Sequence, residues 1–237
     1  MEIESIISKR LIPSSDFIYG LANLNGLLPD EYKSYPLGIS IGKRLNDKIV
    51  NTVAAGPNMS YYNHYKEVNS ELESISNSIV GDLADRGVKS IAIVPTLILS
   101  SDEFKPYLKD LKYKISHKMV ATRAGLGWIG KTDLFISKKY GPRLRLVSIL
   151  VESPPKNEVK PVEESLCGNC NICVKMCPAQ AANGKLWNVY TYRDEFFDAQ
   201  KCWSKCHEFG MQIFKRDVGI CGICVALCPM GHKKCSN

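Results

Sequence analysis

The sequence predicts an α+β fold followed by a small cysteine-bearing domain, and three observations carry that reading. A long apolar stripe repeats at helical spacing, short apolar runs of strand length flank it, and all ten cysteines fall beyond a proline-rich segment. With 237 residues, 45% of them hydrophobic and 23% charged, the chain is long enough for one sizeable core plus an appended unit, and its composition is that of a globular protein.

In chain order, Leu37-Gly38-Ile39-Ser40-Ile41 reads as a strand. Tyr61, Tyr65, Val68, Leu72, Ile75, Ile79 and Leu83 recur at steps of four and three, which predicts an amphipathic helix over about 58–86, stopped by Gly87. Residues 89–95 read as a second strand, residues 117–123 as a helix and residues 134–136 as a strand. Residues 133–137 and 144–151 flank the turn pair Gly141-Pro142 and predict a hairpin. The region 1–152 is therefore expected to be an α+β sandwich. Pro154, Pro155 and Pro161 mark the boundary, and residues 162–237 form the second domain.

That second domain spells a double iron–sulfur site: Cys167-x-x-Cys170-x-x-Cys173-x-x-x-Cys177-Pro178, then Cys202, then Cys221-x-x-Cys224-x-x-x-Cys228-Pro229. Three cysteines at three-residue spacing wrap one corner of a cubane, while the cysteine before proline reaches the other cluster in two-cluster ferredoxins. The expected sets are Cys167, Cys170, Cys173 and Cys228 for one [4Fe-4S] cluster and Cys177, Cys202, Cys221 and Cys224 for the other. Cys206, four residues after Cys202 and on the same face of a helix, is the alternative upstream ligand. A zinc site closes at four ligands in two separated pairs, which leaves the third cysteine of each block unexplained. Disulfides need an oxidising compartment, whereas Met1-Glu2-Ile3-Glu4-Ser5 is acidic, without an apolar leader, so reduced thiols and a cytoplasmic location are expected. Cys235 is expected to be a free surface thiol.

The formal charge of +7 counts thiols as neutral. Each cluster with four thiolates carries about −2, which brings the holoprotein to about +3. No run of five like charges and no Lys/Arg stripe interleaved with aromatics appears, so tRNA is not expected to bind tightly. No apolar stretch reaches membrane-spanning length.

The run Arg123-Ala124-Gly125-Leu126-Gly127-Trp128-Ile129-Gly130-Lys131-Thr132 satisfies both G-x-G-x-x-G and G-x-x-x-x-G-K-T. Both patterns hold phosphate only where a strand feeds a helix, and here a helix precedes and a strand follows. What remains is backbone approaching something closely beside a large aromatic face; tight helix-to-strand packing accounts for it equally well.

This run, followed by the two cysteine blocks in this order, resembles the epoxyqueuosine reductases and, more distantly, the reductive dehalogenases, over roughly residues 35–231. The resemblance implies a nitroreductase-like α+β domain that holds cobalamin or another corrinoid, fed by two [4Fe-4S] clusters from a low-potential donor of ferredoxin or flavodoxin type. It makes Arg123, Gly125, Leu126, Gly127, Trp128 and Gly130 candidates for corrinoid contact. Tyr61, Tyr62, His117 and Lys131 become candidates for catalysis. One departure stands out: the reductases carry an aspartate about a dozen residues before the glycine run, and an ungapped match falls on Leu111, one residue after Asp110. His117 could supply acid chemistry instead, against the alternative of a hydrogen-bonded structural histidine. Two other functions compete with a corrinoid reductase acting on a small molecule: an electron carrier or reductive activator of a corrinoid protein, and a scaffold that keeps clusters for stability.

Overall fold

A computed structural model describes residues 3–11, 14–97, 102, 104–155 and 159–232. Along the chain run α1 (Ile3–Leu11), β1 (Phe17–Asn23), β2 (Leu37–Arg44), α2 (Asp47–Asn51), α3 (Met59–Ala84), β3 (Ser90–Ile93), α4 (Phe104–Asp110) and α5 (His117–Arg123). There follow β4 (Gly127–Ile129), β5 (Phe135–Ser137), β6 (Leu144–Val151), α6 (Ile172–Lys175), α7 (Ala199–Phe209) and α8 (Ile223–Leu227). The fold is mixed α and β, and it divides into two compact units that are each discontinuous in sequence. One comprises residues 1–44, 67–126 and 145–162, the other residues 45–66, 127–144 and 163–237.

The first unit is built on a four-stranded sheet of order β1-β2-β6-β3, with β1 antiparallel to β2 and β3 antiparallel to β6. β2 is buried from Leu37 to Gly42, as an inner strand covered on both faces must be. Ala22, Leu24, Val120, Ala124 and Leu150 form a core between strands and α5, with Tyr32 and Tyr35 packed against it. Of the expected helix stripe, Tyr61, Val68, Leu72, Ile79 and Leu83 of α3 are buried, while Tyr65 and Ile75 are half-buried. α3 ends at Ala84, and Gly87, at φ +73, turns the chain toward β3.

The hairpin expected across Gly141-Pro142 does not form. β5 instead pairs with β4, in the register Gly127↔Ser137, Trp128↔Ile136 and Ile129↔Phe135, while β6 joins the sheet and pairs with β3. The physical reason is composition: β6 is buried along Val147–Val151 and belongs inside a sheet, whereas β5 is three residues long and finds a partner five residues upstream. Gly141 does turn, bonding back to Ser137 in both directions.

The second unit holds the β4–β5 hairpin, α2, the first two turns of α3, and the cysteine-bearing helices α6, α7 and α8. α8 packs on α6 and on α2. Arg143, 1% exposed, ties these stretches together: Nη1 donates to Asp47 Oδ1 at 3.0 Å and Nη2 to the Ala226 carbonyl at 3.0 Å, with His232 beside it at 2.9 Å. Its own carbonyl accepts from Leu45 N–H at 2.8 Å.

Candidate metal centre

The cysteines gather on short elements of the second unit. α6 begins two residues after Cys170 and contains Cys173, α7 carries Cys202 and Cys206 one turn apart, and α8 contains Cys224. Burial raises the Cys173 thiol, and the neighbouring Cys167 and Cys170 raise it further. Cys228 is pushed up to about 11, by burial first and then by the charges of Cys173 and Cys167. The Cys-Pro spacing predicts that Cys228 serves the first block's cluster. Cys224 is raised by burial and by the charges of Cys221, Cys202 and Cys173. Cys177 accepts the Ala181 N–H at 3.5 Å.

Cys206 enters this group more closely than its spacing suggested. Its thiol donates to both Cys202 and Cys221, and that hydrogen bond lowers Cys221 to about 7. Among the described residues no three His, Cys, Asp or Glu side chains converge on a single ion. The donors form neighbouring thiol sets, a chemistry that suits iron–sulfur clusters and their thiolate ligands. Cys235 lies outside the described residues.

The glycine run splits between the units after Leu126. In the first, α5 is capped by Ser116 and closed by Gly125 at φ +70, where Leu126 N–H reaches back to the Ala121 carbonyl. A side chain on Gly125 would come within 2.9 Å of the Lys160 carbonyl. Arg123, at the end of α5, lines a cleft of ≈ 530 Å³ with Asn23, Asn25 and Lys160 over Leu27 and Pro161, a size within the small-molecule range. In the second unit, a Cβ on Gly127 would stand 2.1 Å from the Ile136 carbonyl, and one on Gly130 would meet the Ile136 side chain at 3.0 Å. The close approach is therefore to the partner strand, and Gly127 and Gly130 offer a corrin ring no open face.

Trp128, Lys131 and Thr132 belong with the cysteines. The buried Trp128 indole Nε1 donates to Cys167 Sγ at 3.3 Å, and the buried Lys131 ammonium donates to Asn171 Oδ1 at 2.8 Å. The Thr132 hydroxyl bonds both Cys173 and Cys224, one from each block. A tight turn, in which Gly130 N–H bonds the Leu134 carbonyl and Asp133 N–H the Gly130 carbonyl, presents all of this. Sequence reasoning missed Thr132, although the Gly-Lys-Thr triplet that mimics a phosphate loop was the signal.

The remaining candidates for catalysis are scattered. Tyr61 is buried, its ring 2.8 Å from where a Cβ on Gly222 would lie, beside Cys221. Tyr62 stacks on Phe214 with centroids 5.5 Å apart, under the Lys66 ammonium. His117 sits in the first unit, with Nδ1 2.9 Å from Ser148 Oγ and Nε2 3.0 Å from the Val94 carbonyl. Loss of hydration lowers it to about 4, against the Val94 bond, so it is neutral near pH 7 and fits the structural role better than that of an acid. Leu111 follows α4 at φ +54, and Asp110 accepts the Lys112 N–H at 3.0 Å.

Residues 166–231 match the 4Fe-4S double cluster binding domain family. An epoxyqueuosine reductase of Lactococcus garvieae is 36% identical over 118 residues, 46% of this chain and 30% of the relative. That of Shewanella oneidensis is 25% identical over 197 residues, 76% of this chain and 44% of the relative. The chain resembles the epoxyqueuosine reductases. Among solved structures, a reductive dehalogenase described with a mechanism for B12-dependent dehalogenation superposes with TM-score 0.65 at 14% identity, over 96% of this chain and 31% of that one. An epoxyqueuosine reductase holding an epoxyqueuosine-modified tRNA-Tyr stem loop superposes with TM-score 0.59 at 16% identity, over 97% and 65%. The fold is thus that of epoxyqueuosine reductases and reductive dehalogenases, and the chain covers less than half of the two curated relatives' length. Among the described residues no helix is long and apolar enough to cross a membrane.

Proposed function

We propose that this chain is an iron–sulfur oxidoreductase of the epoxyqueuosine reductase type, carrying two [4Fe-4S] clusters through which low-potential electrons pass singly to an acceptor. The observation that supports the reading is the mixing of the two blocks: the charges of Cys173 and Cys167 raise Cys228, and Thr132 bonds one cysteine of each block. The ligands are Cys167, Cys170, Cys173 and Cys228 in one set, and Cys177, Cys202, Cys221 and Cys224 in the other. The first unit is read as nitroreductase-like, and resemblance makes the acceptor a corrinoid. When bound, a corrinoid supplies strongly reducing cobalt. Because Gly127 and Gly130 are filled by Ile136, its seat is not that glycine pair, and Arg123 at the open cleft is the better contact.

A second reading is favoured by two observations. Leu111 stands where the reductases carry their aspartate, and His117 is held neutral. Without a proton donor the chain would pass electrons to another corrinoid protein and perform no small-molecule chemistry of its own.

Anaerobically purified protein should contain close to eight irons and eight acid-labile sulfides per chain. Cys202→Ala should lose the second cluster and Cys206→Ala should retain it. Four irons in the wild type would remove the two-cluster reading, and the reverse result for the two variants would make Cys206 the ligand. Turnover of a corrinoid-dependent substrate by the isolated protein would exclude the carrier reading.

A further inference from the structure

Lys131 is 4% exposed, and its ammonium meets a neutral partner, the Asn171 amide oxygen at 2.8 Å. Among the described residues no carboxylate pairs with it. A cation withdrawn from water needs opposite charge nearby, because an amide alone does not repay the lost hydration. Asn171 follows Cys170 directly, and Trp128, 3% exposed and three residues before Lys131, donates its indole N–H to Cys167 Sγ at 3.3 Å. Both donors of this one hairpin are therefore aimed at the first cysteine block, and four thiolates around a [4Fe-4S] core supply the missing negative charge.

We infer that Trp128 and Lys131 are positioning residues that raise the reduction potential of the first cluster. The inference rests on the two-cluster reading. On reduction the first cluster accepts one electron from a low-potential one-electron donor, and its net charge goes from about −2 to −3. A buried ammonium and an N–H···S bond both favour the more negative state, so each makes reduction easier. The Thr132 hydroxyl, bonded to Cys173 and Cys224, would lie between the two sets of ligands.

The test is an anaerobic redox titration of holoprotein, followed by the low-temperature EPR of the reduced clusters, with iron and sulfide counted on the same samples. Trp128→Phe and Lys131→Met should each make the reduction equilibrium of one cluster about tenfold less favourable, about 59 mV for one electron, and leave the other wave in place. Lys131→Arg should restore the wild-type potential. If Lys131→Met loses iron, Lys131→Gln removes the charge with less change in polarity and takes its place. Full iron content with unmoved potentials overturns the inference alone. Loss of iron in every charge-removing variant overturns it too, by giving Lys131 a role in assembly. Four irons in the wild type overturn the two-cluster reading, and the inference with it.

Discussion

His117 carries no charge near neutral pH because burial favours the neutral ring, and this makes it a source of pH-dependent stability. Its folded pKa of about 4 lies below the ordinary 6.5, so between those values the unfolded chain binds the extra proton. The stability it confers is complete above about pH 6.5 and disappears as the pH falls toward 4, an upper bound of about 3 kcal/mol for this partly exposed ring. Urea unfolding from pH 7 downward should show the wild type losing stability faster than His117→Gln. Parallel curves would mean that the ring is hydrated and free to act as an acid. A histidine close to a glycine run advertises acid chemistry in sequence. Only its contacts, Ser148 and Val94, disclose a structural role, and these lie 31 and 23 residues away.

The β4–β5 hairpin is the element on which the centre depends, since it presents Trp128, Lys131 and Thr132 together. Gly127→Val should open it: a Cβ 2.1 Å from the Ile136 carbonyl cannot be relieved by a rotamer, because the obstacle is backbone. The cost is expected to exceed the 1–3 kcal/mol or so of ordinary overpacking, with bound iron lost in parallel, measured by thermal unfolding and iron assay. A variant with full stability and iron would mean that β4 moves aside. Much of the architecture was legible beforehand: the 3–4 stripe of α3, the strand at β2, the helix at α5 and the cysteine blocks follow from local periodicity and spacing. The partner of β5 was not legible. Gly141-Pro142 is a good turn signal for neighbouring runs, but strand choice is decided by burial across the sheet, and β6, nearly all apolar, is drawn inside. Arg143 was equally hidden, since nothing local distinguishes a buried arginine from a surface one.

For the whole molecule, charge and likeness pull in different directions over tRNA. On the two-cluster reading, a holoprotein charge of about +3 predicts weak phosphate binding, whereas a neighbour of the same fold is known with a tRNA stem loop. Titration of an anticodon stem-loop into the holoprotein should give weak binding with a shallow salt slope. Tight binding that falls steeply with salt, with reduction of the epoxide, would establish tRNA as the substrate. The clasp of Arg143 on Asp47, Ala226 and His232 bears on how the protein comes into being. Asp47 leaves the ribosome early, yet its partner carbonyl at Ala226 is made on the order of ten seconds later at usual elongation rates. The second unit must therefore wait, partly formed, while the chain behind it is synthesised. The cysteines, from Cys167 onward, are made only in the last part of that interval, so on the iron–sulfur reading the thiols have little time to meet oxidants before His232 completes the clasp around Arg143.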